Sequence, residues 1–115
     1  MLSRYDIVLD AFPCTDGPAA KPRPALVITT SDRHGDVLLA FISSNISGPT
    51  ASDELDIPAE HPGFSGTGLK VSSRLRLSRM TTLALPLVKR RIGQLPLALQ
   101  TTCQQVLQRV IGGQG

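Results

Sequence analysis

Two apolar runs, "RPALVITTS" (23–31) and "DVLLAFISSNI" (36–46), constrain this chain more than any other feature. Both are dense in Val, Ile and Thr, whose branched side chains lose freedom in a helix and fit a pleated strand. The polar stretch "SDRHGD" between them carries turn residues. Residues 23–46 therefore predict an antiparallel hairpin. A helical bundle is excluded, because runs of this kind continue until about residue 80.

The rest of the chain follows the same grammar. "YDIVLDAF" (5–12) reads as a strand and "PCTDGPAAKP" (13–22) as a Pro/Gly loop. "SGPTASDE" is a loop, "LDIP" a short strand and "AEHPGFSGTG" another loop. "LKVSSRLRLS" (69–78) alternates in its second half, with Leu75 and Leu77 on one face and Arg74, Arg76 and Ser78 on the other. "LVKRRIGQL" (87–95) reads as a further strand. The period then changes. Leu99, Cys103, Val106, Leu107, Val110 and Ile111 recur at three- and four-residue steps, one face of a helix that begins near Pro96 and ends before Gly112–Gly113. Many short strands with one terminal helix predict a mainly β (α+β) fold, a small, bent, SH3-like antiparallel barrel.

At 115 residues the chain has the length of one domain, spanning 1–115. No apolar run nears the roughly 20 residues that cross a bilayer, and "MLSRYDIVLDAF" lacks the apolar core of a signal peptide. Two cysteines, Cys14 and Cys103, are too few for a disulfide scaffold, and reduced thiols in the cytoplasm are the expectation. With His34 and His61 far from both, no metal set forms. The net charge of +3 conceals a split: residues 1–60 hold nine acids and four bases, residues 61–115 eight bases and no acid. Such a segment suits a polyanion or an acidic partner; a solvated basic surface is the plain alternative.

Three places can carry chemistry. Arg23 stands between two prolines at the mouth of a strand, so its backbone is stiff and its planar fork suits a phosphate. An ion pair with Asp16 or Asp32 is the competing reading. Ser43, Ser44 and Asn45 follow a buried run, either as a strand end or as a donor cluster facing a ligand. Arg74, Arg76 and Arg79 form either a solvated strand face or a phosphate track.

Together these segments resemble the MazF/PemK-like toxins of type II toxin–antitoxin pairs, over about residues 5 to 111. The resemblance lies in "YDIVLDAFPCTDGPAAKPRPALVI", "AFISSNI", "RLRLSRMTTL" and "IGQL" before the helix. It implies a CcdB-like barrel that forms a homodimer, binds a cognate antitoxin and cuts single-stranded mRNA as an endoribonuclease without metal or other cofactor. The ribose 2′-hydroxyl would attack the adjacent phosphate, leaving a 2′,3′-cyclic phosphate and a 5′-hydroxyl. The family's catalytic residues fall on Arg23, Ser43 and Arg76; Lys21, Ser44, Asn45, Arg74, Ser78 and Arg79 become candidate RNA contacts. Ser78 stands where some members carry Asp, and Tyr5 where Gly is usual.

Two other functions suit the same fold, since fold does not fix function. A related toxin poisons DNA gyrase through its C-terminal end, but the tail "VIGGQG" lacks bulky residues. A silent RNA-binding module would stack bases on aromatics, and Tyr5, Phe12, Phe41 and Phe64 are few for that.

Overall fold

The computed structural model describes residues 2–10, 22–31 and 33–112. Six strands form one antiparallel sheet: β1 (Asp6–Asp10), β2 (Arg23–Ser31), β3 (Asp36–Ser43), β4 (Glu54–Ile57), β5 (Ser73–Ala84) and β6 (Val88–Gln94). A helix, α1 (Leu97–Gly112), follows. The sheet order is β4-β5-β3-β2-β1-β6, so β2 and β3 are the expected hairpin. Cys14, Phe12 and Lys21 lie outside the described residues.

The continuous apolar character of β1, β2 and β3 has a packing cause. Neighbouring residues on each strand enter two different cores. Ile7, Leu26, Ala40 and Ile42 join Leu75, Leu77, Cys103 and Val106 on the helix side. Val8, Val27, Leu39 and Leu83 pack on the opposite face. A strand buried on both faces shows no apolar–polar alternation. On α1, Cys103 and Val106 are buried and Leu99, Leu107 and Val110 pack at the margin. Ile111 departs from the expected face and is 66% exposed. Burial pushes the Cys103 thiol up to about 11, so it is a small apolar core group and not a nucleophile.

The predicted barrel is an open sheet whose edges are β4 and β6. The connection from β4 to β5 reaches across this gap, and its 3₁₀ turn (Phe64–Thr67) packs against β6. Two glycines make that contact possible. A Cβ on Gly93 would overlap the carbonyls of Gly66 and Thr67, and one on Gly68 would overlap the Ile92 carbonyl. Gly68 also has φ +76, a left-handed conformation that favours glycine. Buried Thr67 completes the clasp: its hydroxyl donates to the Phe64 carbonyl (2.7 Å) and accepts from the Leu69 amide (3.0 Å). Covering an edge in this way keeps it from pairing with other chains.

Three boundaries differ from the sequence reading. β3 ends at Ser43 and not Ile46, because side chains capture the next amides: Asn45 N–H donates to Ser43 Oγ (3.0 Å) and Ser47 N–H to Asn45 Oδ1 (3.3 Å). β5 begins at Ser73, after a loop at 69–72, and runs on to Ala84. Its second half pairs Met80–Ala84 with Asp36–Ala40, a pairing that the pattern "MTTLA" does not reveal. Tyr5, where the resemblance leads us to expect Gly, has φ 75. Its amide donates to Val27 O and its carbonyl accepts from the Leu95 amide, both at 2.9 Å, so the left-handed backbone there joins three parts of the fold.

Candidate RNA-cleavage site

The hairpin brings its two polar ends together. Ala25 pairs with Phe41, and two residues further on each strand stand Arg23, the first residue of β2, and Ser43, the last of β3. On either side of them the ladders add Asp10 opposite Arg23 and Arg74 opposite Ser43. Both hairpin ends open into a cleft of about 660 Å³. Pro22 and Pro24 flank Arg23 on its wall, Ser44 and Asn45 continue from Ser43, and Leu9, Ile42, Leu69 and Ile92 provide apolar surface. Lys70 and Arg90 line it as well, and none of the described lining residues is acidic. An apolar floor with a few convergent polar groups is the usual form of a binding site.

Ser43 is held in a defined state. Its Oγ accepts the Asn45 amide, which leaves the O–H to donate outward. Arg23 is exposed at the stiffened start of β2.

Arg74 and Arg76 are placed apart from the cleft, against acids and loop carbonyls. They do share a face opposite buried Leu75 and Leu77. On that face β4 places acids directly opposite: Asp56 against Arg74 and Glu54 against Arg76. Buried Arg74 donates through Nε to Asp56 (2.7 Å) and through its terminal nitrogens to the carbonyls of Ser47, Gly48 and Pro49 (3.4, 3.1 and 3.4 Å). Arg76 donates to Glu54 (2.7 Å) and to the Asn45 carbonyl (3.2 Å). Neither lines the cleft; both brace the 45–50 loop that presents Ser44 and Asn45. Ser78 and Arg79 lie elsewhere again, with Phe41, Met80 and Thr81 around a shallower depression of about 440 Å³. They sit in a β5 bulge between the Phe41–Arg76 and Ala40–Met80 pairs, which turns them out of the row that carries Ser43. Lys21 is outside the described residues.

The Arg74 hydrogen bond, opposed by burial and reinforced by Thr50, holds the Asp56 carboxyl below the usual carboxylate range. A depressed folded value means the contact contributes fully above the ordinary carboxylate range and is lost as pH falls through the lowered one. NMR shifts of the Ser47, Gly48 and Thr50 amides are therefore expected to stay constant down to about pH 4 and move together below it. A transition centred above pH 4 would show that Asp56 does not control the loop.

Sequence reasoning missed Lys70 and Arg90. Their one signal was membership of the basic 70–91 segment, which does not say which cations share a cleft.

The described residues make a small β protein with one terminal helix, in which a guanidinium and a hydroxyl line one cleft and no described lining residue is acidic. The family is defined by sequence: residues 3–111 match the model of the PemK-like, MazF-like toxin of type II toxin–antitoxin systems, and the chain belongs to that family. Solved structures agree in fold. Toxin MazF-mt6 of Mycobacterium tuberculosis is similar at 18% identity and a TM-score of 0.70, covering 93% of this chain and 96% of that one. An endoribonuclease in complex with its cognate antitoxin, from a mycobacterial species, is similar at 12% identity and a TM-score of 0.73, covering 100% and 99%. MazF of Deinococcus radiodurans is similar at 18% identity and a TM-score of 0.69, covering 96% of each chain. No curated protein sequence matches.

Proposed function

We propose that this toxin is a metal-independent endoribonuclease that cuts single-stranded RNA, with Arg23 and Ser43 at the scissile phosphate. The observation that carries this reading is that both residues line one cleft with cationic walls. Family membership supports the toxin role, and the similar structure solved with its antitoxin supports a cognate antitoxin as partner. Among the described residues no helix is long and apolar enough to cross a membrane. A homodimer acting in the cytoplasm on mRNA completes the proposal.

In this mechanism the nucleophile and the phosphate belong to one substrate, so the protein has to orient them and stabilise charge. The ribose 2′-oxygen attacks phosphorus in line with the leaving 5′-oxygen. The P–O5′ bond breaks, the 2′-hydroxyl proton departs and the 5′-oxygen gains one, giving a 2′,3′-cyclic phosphate and a 5′-hydroxyl. Arg23 supplies a permanent charge with paired donors to the phosphoryl oxygens, whose negative charge grows in the transition state. The Ser43 O–H, fixed by the Asn45 amide, donates one further hydrogen bond. Arg74 and Arg76 act as positioning residues through the 45–50 loop.

The test is incubation with mixed-sequence RNA, and with DNA of the same sequences, in EDTA. RNA is expected to be cut and DNA left intact, since DNA lacks the nucleophile. Cleavage of both, or of neither, contradicts the mechanism. Ser43→Ala removes one neutral donor and should slow cleavage by about tenfold. A loss equal to that of Arg23→Ala would show that the hydroxyl does more than donate.

A further inference from the structure

Beyond Arg23 and Ser43, the cleft carries two cations that no role yet accounts for. Arg90 sits on edge strand β6, where seven residues run beside the five of β1. The surplus is taken up in two irregularities, which leave Ile92 and Lys89 out of register. Between them Arg91 pairs with Val8 and Arg90 with Leu9. Bulges of this kind re-aim side chains. Arg91 reaches Asp6 (3.1 Å), whereas Arg90 and its partner Leu9 both line the cleft. Lys70 arrives on the loop that follows the 3₁₀ turn. Gly68 rests on the Ile92 backbone, and Lys70 is two residues beyond Gly68 as Arg90 is two residues from Ile92. The glycine clasp thus brings Lys70 and Arg90 to the β6 side of the cleft. Arg23 stands two strands away, across β1, roughly 10 Å between backbones.

We infer that Lys70 and Arg90 grip a phosphate adjacent to the scissile one, so that the cleft holds a stretch of RNA backbone and not a single phosphate. This rests on the nuclease reading for the identity of the ligand. The physical basis is separation: two cationic points on one apolar-floored cleft suit successive charges of a polyanion. Arg90 and Lys70 then contribute to binding, whereas Arg23 contributes to the chemical step.

The experiment compares Arg90→Ala, Lys70→Ala and Lys89→Ala in the full chain. Lys89 is an equally charged β6 neighbour that does not line the cleft. One readout is binding of mixed-sequence RNA carrying 2′-O-methyl groups, which cannot be cut. The other is cleavage kinetics on ordinary RNA. Arg90→Ala should weaken binding about tenfold and flatten the salt dependence by about 0.7 in log–log slope, the value for one single-strand phosphate contact. It should raise KM and leave kcat within about twofold. Lys70→Ala should move the same readouts in the same direction, and the double variant should lose less than the product, because the two cations share one phosphate. Lys89→Ala should change binding by less than about twofold.

Equal losses for Arg90→Ala and Lys89→Ala would overturn the inference in favour of general charge. A fall in kcat like that of Arg23→Ala would also overturn it, by moving Arg90 to the scissile phosphate. A wild-type chain that binds RNA without cutting it defeats the nuclease reading alone, and the binding comparison still decides the role of Arg90. A wild-type chain that does not bind RNA defeats both.

Discussion

Arg23→Ala is expected to reduce RNA cleavage by on the order of a hundred- to a thousand-fold while the chain stays folded. Arg23 is exposed at the first residue of β2, whereas the cores begin at Ala25 and Leu26. Removing it therefore takes charge from the cleft and little from packing. Lysine is not an adequate replacement, because a point charge lacks the fork that holds two phosphoryl oxygens at once. Arg23→Lys should recover part of the binding and little of the rate. Circular dichroism and thermal melting check the fold, and single-turnover kinetics check the step. A folded Arg23→Ala chain with the wild-type rate would remove the proposed centre of the site.

A large loss of stability is expected for Gly93→Ala. The added Cβ overlaps backbone carbonyls of Gly66 and Thr67, which cannot step aside as a flexible side chain would. Overpacking of this kind costs about 3 kcal/mol, roughly a 10 °C fall in melting temperature for a domain this size. Gly66→Ala is the matched control, since its Cβ would meet nothing within 4 Å, and it should shift stability by less than about 0.5 kcal/mol. Thermal unfolding of the two variants separates a contact effect from glycine loss in general. Equal melting temperatures would show that the clasp on β6 is not under steric pressure. Because the clasp also fixes the Gly68–Val71 wall, Gly93→Ala should weaken RNA binding even below its melting temperature.

The hairpin was legible in sequence because β-branched runs bounded by turn residues leave few alternatives, and its register alone brings Arg23 to Ser43. The double burial of β1–β3 was not legible, because a continuous apolar run does not say which residue enters which core. The second half of β5 was missed for the opposite reason: "MTTLA" buries Leu83 and little else, and its strand form comes from pairing with β3. The arginines show the same limit in charge. Alternation put Arg74 and Arg76 on one face correctly, yet their partners, Asp56 and Glu54, lie on another strand 18 and 22 residues away in sequence. Composition had presented the acidic first half and basic second half as a net imbalance. In the fold, part of each half cancels the other at the β4–β5 edge. The cations left facing the cleft, Arg90 above all, are selected by bulges and glycine contacts that no periodicity encodes.

End-group analysis of RNA cut by the purified toxin in EDTA tests the central claim most directly. The mechanism requires every product pair to carry a 2′,3′-cyclic phosphate on one fragment and a 5′-hydroxyl on the other. Fragments bearing 5′-phosphates, or RNA left intact under conditions where the chain is folded, would contradict it.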